Sequence, residues 1–177
     1  MPPLAILVAA SPFEAAIRLA GLGSVMASYS EFDGVPIHIS RAVLTDLLRD
    51  DLGFNGVVLT DASLMVGLTS ALPRERQMVQ AITAGCDMIL FFRNHDEDFG
   101  FIRDAVESGE ISAERLEDAL TRILGLKAKL GLHRRPADDL VPPVEELQVV
   151  GSAEHHDMAA RIADQTIALL KDTADTL

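Results

Sequence analysis

One short stretch of the chain, residues 53–65, brings together residue types that could do chemistry; it reads GFNGVVLTDASLM. A turn at Asn55-Gly56 leads into an apolar run at residues 57–59 that does not alternate with polar residues. Such a run indicates a strand buried on both faces, as in parallel sheets. Asp61 follows this strand, at the edge where parallel α/β folds place their catalytic groups, and is therefore the candidate catalytic residue. The alternative is that Asp61 only caps a following helix.

The composition is that of a globular chain with an acidic surface. Of its 177 residues, 49% are hydrophobic and 24% are charged, which is enough apolar material for a sizeable core. The net charge of -12 would repel nucleic acid and anionic membrane surfaces, so neither is expected as a partner. No run approaches the ~20 apolar residues of a membrane span. Residues 1–10 lack a Lys or Arg before their apolar core and make a weak signal peptide, so a cytoplasmic location is the default expectation.

The cysteine and histidine content predicts no disulfide, metal or cofactor. Cys86 is the single cysteine, and its position between a predicted helix and a predicted strand favours a small buried residue over a nucleophile. The five histidines lack the spacing of metal ligands. His155 and His156 are adjacent and are expected to be solvated or to cap a helix.

Apolar periodicity and glycine positions around Asp61 predict alternating helices and strands. The predicted order is helix, strand, helix, strand, helix, strand, helix, helix, over residues 13–20, 23–29, 40–53, 56–60, 73–85, 88–92, 98–107 and 112–131. Ser40 and Ser112 are predicted N-caps, because a hydroxyl there can accept a free N–H of the first turn. Phe99 is expected to face the core from its helix. This alternation predicts an α/β fold with a parallel sheet covered by helices.

The chain changes character after residue 133. Residues 134–150 are polar and rich in proline, which is typical of a linker. Residues 152–163 predict an amphipathic helix, and residues 165–171 predict one more strand. Because one helix and one strand do not make a domain, residues 151–177 are expected to be the opening of a second α/β domain.

Several of these stretches match a known family in order and spacing. The matching pieces are VMASYS at 25–30 with DGVP at 33–36, LTDLLR at 44–49, GFNGVVLTD at 53–61, AGCDM at 84–88, and RILGLK at 122–127 with LGL at 130–132. Together they resemble the family 3 glycoside hydrolases over about residues 12–135. A weaker resemblance, at residues 156–171, is to the opening of that family's second domain.

The resemblance implies a TIM (β/α)8 barrel of which about the last three βα units are present. Residues 1–133 would be the C-terminal portion of that barrel, 134–150 a linker, and 151–177 the start of the second domain. A full barrel takes about 250 residues, so the chain is expected to be a fragment or the product of a shortened start.

In this family the acid at the position of Asp61 is the nucleophile of a retaining mechanism that cleaves terminal β-glycosidic bonds. The resemblance assigns Tyr29 either to a hydrogen bond with Asp61 or to the wall of the sugar site; the alternative for Tyr29 is packing under a loop. Met26 and Met65 are expected to be wall residues of the substrate site. The acid/base residue is expected outside this chain, and the substrate is expected to be a β-linked oligosaccharide or glycoside.

The tyrosine and DGVP motifs resemble the β-glucosidase branch, whereas Thr60-Asp61-Ala62 resembles the β-N-acetylhexosaminidase branch. We expect a β-glucosidase-like enzyme, with the hexosaminidase as the alternative. A non-catalytic barrel remnant that binds a partner chain is a second alternative, and an unrelated lyase or aldolase that uses Asp61 as a base is a third. The open edges of a partial barrel also predict a homo-oligomer.

Overall fold

The computed structural model describes residues 4–65, 72–136 and 140–167, with side chains from residue 11 onward. The chain divides into two compact units, Met1–His133 and Arg134–Leu177. In order along the first unit, the elements are α1 (Leu4–Ala20), β1 (Ser24–Ala27), β2 (Glu31–Phe32), β3 (Val35–Pro36), a 3-10 turn (Ile37–Ile39), a π-helix (Ala42–Asp51), β4 (Val57–Ala62), α2 (Arg74–Ala84), β5 (Met88–Leu90), α3 (His95–Glu107) and α4 (Ala113–Lys129).

A three-stranded parallel sheet with the order β1-β4-β5 forms the centre of the first unit. All of β1 pairs with β4, and β5 pairs with the other edge of β4, where Leu90 lies opposite Ala62. β2 and β3 form a separate antiparallel pair. Parallel strands need long crossover connections, which the helices supply here. The sheet and its helices confirm the predicted α/β class.

Among the residues that the structure describes, helices cover one face of the sheet and leave the other open. Val25, Ala27 and Val58 point to the covered face, where the core also takes side chains from the π-helix and α2; its buried members are Val25, Ala27, Leu44, Leu48, Phe54, Val58, Ala81, Ala84 and Cys86. Met26 and Met88, on the opposite face, are 47% and 41% exposed. Because side chains alternate along a strand, the apolar residues of β1 and β4 are divided between these two faces.

A buried carboxylate joins the elements at the amino ends of the strands. Asp87 is fully buried as a side chain and forms ion pairs of 2.7 Å with both Arg49 and Arg115. Its Oδ2 also accepts from Val58 N at 2.9 Å, and Arg49 Nη1 donates to the carbonyl oxygen of Gly56 at 3.0 Å. The network therefore links the π-helix, α4 and the starts of β4 and β5 at the end of the sheet opposite Asp61.

The strand predicted over residues 88–92 is shorter in the structure. β5 ends at Leu90, and Phe91 has a φ of 57°, which no strand residue adopts. The following helix begins at His95, three residues before its predicted start, because Asn94 caps it by accepting from the N–H groups of Asp96 and Glu97. An apolar run alone does not mark where a strand ends, so the two phenylalanines were wrongly included.

Two further expectations for the first unit are wrong. Phe99 is 53% exposed, because the inward face of α3 is formed by Asp98 and Ala105, and the Phe99 ring stacks on His95 at the surface. Ser40 does not cap through its hydroxyl; its carbonyl oxygen accepts from Leu44 N at 2.9 Å at the start of a π-helix.

Other local expectations agree with the structure. α1 starts at Leu4 and includes the predicted helix. Ser112 caps α4, with its hydroxyl oxygen accepting from Arg115 N at 3.2 Å. Cys86 is fully buried, and burial raises the pKa of its thiol to about 12, which agrees with a packing role.

The second unit contains a 3-10 helix (Val144–Val149) and α5 (Ala153–Thr166). Ser152 caps α5 by accepting from His155 N at 3.4 Å. Gln165 and Thr166 belong to this helix, so the predicted strand is wrong at its first two residues, and residues 168–171 of that strand lie outside the described residues. In the part of the chain that the structure describes, no helix is long and apolar enough to cross a membrane.

Candidate active site

Asp61 is the fifth of the six residues of β4 and lies near the carboxyl end of the sheet. Its side chain is half-buried, and its Oδ1 accepts from Ala62 N at 2.7 Å. Leu59, two residues earlier in β4, pairs with Met26 of β1 and Met88 of β5. The pairing of β4 with β5 shifts register between Leu59 and Ala62, so Asp61 lies in an irregular stretch of the strand, of the kind that redirects side chains beside active sites. Such a carboxylate can serve as a nucleophile, a base or an ion-pair acceptor.

Tyr29 lies beside Asp61 but does not bond its carboxylate. The Tyr29 phenol donates to the main-chain carbonyl oxygen of Asp61 at 2.6 Å. Burial raises the pKa of Tyr29 to about 12, and the charge of Asp61 adds to this rise. The phenol therefore keeps its proton around neutral pH and holds the backbone of β4 at Asp61 against the segment that follows β1.

His38 supports the Tyr29 ring from the side. The two rings meet edge to face, with centroids 4.5 Å apart and planes at 89°. His38 is fully buried, and within the described residues neither of its ring nitrogens has a hydrogen-bond partner. Burial lowers the pKa of His38 to about 4, so the imidazole is neutral at pH 7. No sequence pattern around Pro36 indicated that this histidine is enclosed.

The two predicted wall residues lie on different sides of Asp61. Met26 is in β1, the strand next to β4, whereas Met65 follows β4 in a turn in which its N–H donates to Ala62 O at 3.0 Å. Both are close to half exposed. The sequence prediction therefore names four residues that the fold brings to one end of the sheet, of which Tyr29 and Asp61 are in direct contact.

Two residues at this end of the sheet were missed by the sequence prediction. Ser63 is buried, its N–H donates to Leu90 O at 3.0 Å, and its hydroxyl donates to Phe91 O. Phe91 is 64% exposed and has a positive φ. Residue type does not indicate a left-handed backbone conformation at a phenylalanine, so the sequence offered no signal for either residue.

An apolar cavity of about 460 Å³ lies elsewhere, along the outer edge of β1. Phe13, Met26, Phe32 and Leu47 are among the residues that line it, and Asp61 is not. This cavity therefore does not mark the carboxylate. No group of histidine, cysteine and acidic residues within the described ranges is arranged to hold a metal ion.

Comparisons with known proteins agree on one family. The model of the glycosyl hydrolase family 3 N-terminal domain matches residues 7–126. A beta-N-acetylglucosaminidase/beta-glucosidase of Cellulomonas fimi is 44% identical over 145 residues, which are 82% of this chain and 25% of the relative. The chain spans about a quarter of the length of this curated relative.

Two solved structures are similar in fold as well as in sequence. A beta-glucoside phosphorylase, BglX, superposes with a TM-score of 0.78 and 33% identity, over 93% of this chain and 32% of that one. A family 3 beta-N-acetylglucosaminidase from Paenibacillus sp. str. FPU-7 superposes with a TM-score of 0.66 and 29% identity, over 92% and 31% of the two chains.

Proposed function

Since the chain belongs to glycosyl hydrolase family 3, whose N-terminal domain it matches over residues 7–126, we propose that it carries the nucleophile of a retaining β-glycosidase. That nucleophile is Asp61. The observation that carries the proposal is the position of this carboxylate, half-buried near the carboxyl end of a central parallel strand, where the pairing with β5 is irregular.

The fold that we propose around Asp61 is the last three βα units of a (β/α)8 barrel. Its support is the parallel order β1-β4-β5 together with one helix-covered face and one half-exposed apolar face. In a barrel the inner faces of all strands meet in a packed interior, which would cover Met26 and Met88. Residues 151–177 would open the second α/β domain.

The proposed reaction is a double displacement. The Asp61 carboxylate attacks the anomeric carbon, the glycosidic C–O bond breaks, and the aglycone oxygen takes a proton from an acid; water then hydrolyses the glycosyl ester. Tyr29 contributes by holding the main chain at Asp61, since its hydrogen bond ends on the carbonyl oxygen of that residue. Fixed placement of the attacking atom is worth several orders of magnitude in rate.

The acid is not assigned to the described residues. The His38 ring contacts Tyr29, but His38 is enclosed and burial lowers its pKa to about 4, so it holds no proton to give at pH 7. General acid help is typically worth about 10²–10⁴-fold in rate. This chain by itself is therefore expected to cleave ordinary glycosides slowly.

The proposed substrates are β-linked glycosides with a terminal glucose, with terminal N-acetylglucosamine as the alternative. The name of the Cellulomonas fimi relative joins both activities. The ratio of kcat/KM for 4-nitrophenyl β-glucoside to that for 4-nitrophenyl β-N-acetylglucosaminide distinguishes the two.

A trapping experiment tests the nucleophile without the acid. The probe is 2,4-dinitrophenyl 2-deoxy-2-fluoro-β-glucoside, whose leaving group departs as an anion and needs no proton. We expect a covalent adduct that peptide mass spectrometry maps to Asp61. Asp61→Asn should abolish the label while the circular dichroism spectrum is retained, and Asp46→Asn, at an exposed position on the π-helix, should label like the parent chain. A label on another residue would contradict the proposal.

A second candidate function rests on the apolar cavity beside β1. An uncovered cavity of about 460 Å³ along an unpaired strand edge favours a barrel remnant that associates with another chain, its own copies included. A folded chain that takes no label from the probe and sediments as an oligomer would support this second function over the first.

A further inference from the structure

An exposed aromatic residue follows β5, the strand next to β4. Leu90 lies opposite Ala62 in the sheet, so Phe91 is one residue past the partner of the residue that follows Asp61. Its side chain is 64% exposed. Phe91 is therefore at the same end of the sheet as the proposed nucleophile, on β5's side of it.

The backbone at Phe91 is held in a conformation that a bulky residue rarely adopts. Its φ of 57° lies in the left-handed region, where a Cβ crowds the following carbonyl. Two buried side chains flank it. The Ser63 hydroxyl donates to Phe91 O, and Asp98 Oδ2 accepts from Arg93 N at 2.7 Å. Strain of this kind persists where the surroundings determine it and is concentrated at ligand sites.

Two more exposed apolar side chains follow β4. Leu64 is 58% exposed and Met65 is 45% exposed, and both come directly after Ser63, whose own polar groups are engaged by β5 and Phe91. Leu64, Met65 and Phe91 form what we call the apolar lip. It offers ring, thioether and methyl surface beside a carboxylate.

We infer that the apolar lip binds the aglycone of the substrate, and that this aglycone is an aromatic group. The inference rests on the proposed function of Asp61. In a β-glycoside the aglycone departs from the side of the sugar opposite the attacking carboxylate, so it points out of the sheet end, where exposed side chains meet it. A second sugar would bring hydroxyl groups that need hydrogen-bond partners, and the three side chains of the lip carry no O–H or N–H group. An aryl group stacks on a phenylalanine ring and buries apolar surface.

Two probes separate the aglycone from the sugar. The first is 2,4-dinitrophenyl 2-deoxy-2-fluoro-β-glucoside. The second is 2-deoxy-2-fluoro-β-glucosyl fluoride, which delivers the same sugar to Asp61 but has fluoride in place of the aromatic leaving group. For Phe91→Ala we expect the concentration of the aryl probe that gives half-maximal inactivation to rise about fivefold, which corresponds to the typical free energy of one aromatic pair. The inactivation rate with the fluoride should stay unchanged.

Two matched variants complete the test. Phe91→Tyr keeps the ring and should behave like the parent chain with both probes. Phe99→Ala removes a phenylalanine of α3 that stacks on His95 and is 53% exposed, against 64% for Phe91, and should leave the reaction with both probes unchanged. If Phe91→Ala reduces the reaction with both probes equally, or leaves both unchanged, the assignment of the lip is wrong. The label on Asp61 would still support the proposed function.

A binding measurement covers the case in which neither probe labels the parent chain. That result would refute the nucleophile, and the lip would then be tested by NMR titration with phenyl β-glucoside and methyl β-glucoside. Shifts of the Phe91 ring and Met65 methyl resonances with the phenyl compound alone support an aromatic site. Equal shifts with both compounds, or none, overturn it.

Discussion

The chemistry at Asp61 depends on which atom of that residue Tyr29 contacts. A phenol bonded to a carboxylate would tune its charge, whereas a phenol bonded to the main-chain carbonyl, as here at 2.6 Å, controls where the carboxylate stands. The neutral His38 ring against Tyr29 leaves the phenol few positions to adopt. Tyr29 therefore governs where the proposed nucleophile is placed.

Tyr29→Phe tests this placement directly. The substitution keeps the ring and its contact with His38 but removes the hydrogen bond to Asp61 O. We expect the rate of adduct formation at Asp61 to fall about tenfold and the free energy of unfolding to fall by about 1 kcal/mol. Inactivation kinetics and urea unfolding measure the two effects. An unchanged rate alongside the stability loss would limit Tyr29 to packing.

His38 predicts a pH dependence of stability. Its pKa is lowered from 6.5 to about 4 by burial, so between these values the unfolded chain binds a proton that the folded chain does not. The His38 contribution is complete above pH 6.5 and is lost as the pH falls to about 4, a change of about 3 kcal/mol.

Urea unfolding at pH 7 and pH 4.5 measures this contribution. His38→Phe should show a smaller loss of unfolding free energy between the two pH values than the parent chain. His155→Gln, at an exposed position in α5, should show the same loss as the parent chain. Equal losses in all three chains would contradict this prediction, because they would mean that the pKa of His38 is the same in the folded and the unfolded chain.

At the scale of elements, the two ends of the sheet do different things. The amino ends of β4 and β5 are joined by the Asp87 network, which fixes the strands relative to the π-helix and α4. The carboxyl ends carry Asp61 and the apolar lip, which includes the strained Phe91. A parallel sheet allows this division, because all its strands end on the same side.

Asp87→Asn should therefore lower the free energy of unfolding without changing any residue of the candidate site around Asp61. The substitution removes the buried carboxylate that Arg49 and Arg115 share and leaves Arg115 only its pair with Asp118, and breaking a buried pair typically costs about 3–5 kcal/mol. Asp104→Asn breaks an exposed ion pair with Arg103 and should have no measurable effect on unfolding. Urea denaturation compares the two, and similar midpoints would show that the network is not a stabilising element.

At the scale of the whole molecule, the first unit exposes apolar surface. One face of its sheet is half-exposed, and the outer edge of β1 borders an apolar cavity of about 460 Å³. Exposed strand edges with apolar surroundings promote association between chains. We therefore propose that the isolated chain self-associates through this edge.

Phe13→Asp tests the association. Phe13 is 47% exposed on α1 and lines the cavity, so a carboxylate there would have to be buried in an interface. Sedimentation velocity should show an oligomer for the parent chain and a smaller species for Phe13→Asp. Phe99→Asp, on α3 and outside the lining of that cavity, should sediment like the parent chain. A parent chain that sediments as a monomer at all concentrations would contradict the proposal.

The sequence by itself determined the parts of this protein that depend on neighbours along the chain. The apolar run before Asp61 specified a buried strand. Gly53 and Gly85 specified the ends of two helices, because their φ values of 71° and 132° suit glycine. Only the tertiary structure decided that Tyr29 bonds the Asp61 carbonyl 32 residues away, that His38 is enclosed, and that Phe91 turns outward. These outcomes depend on contacts between distant segments, and neither the type of a residue nor its spacing along the chain encodes such a contact.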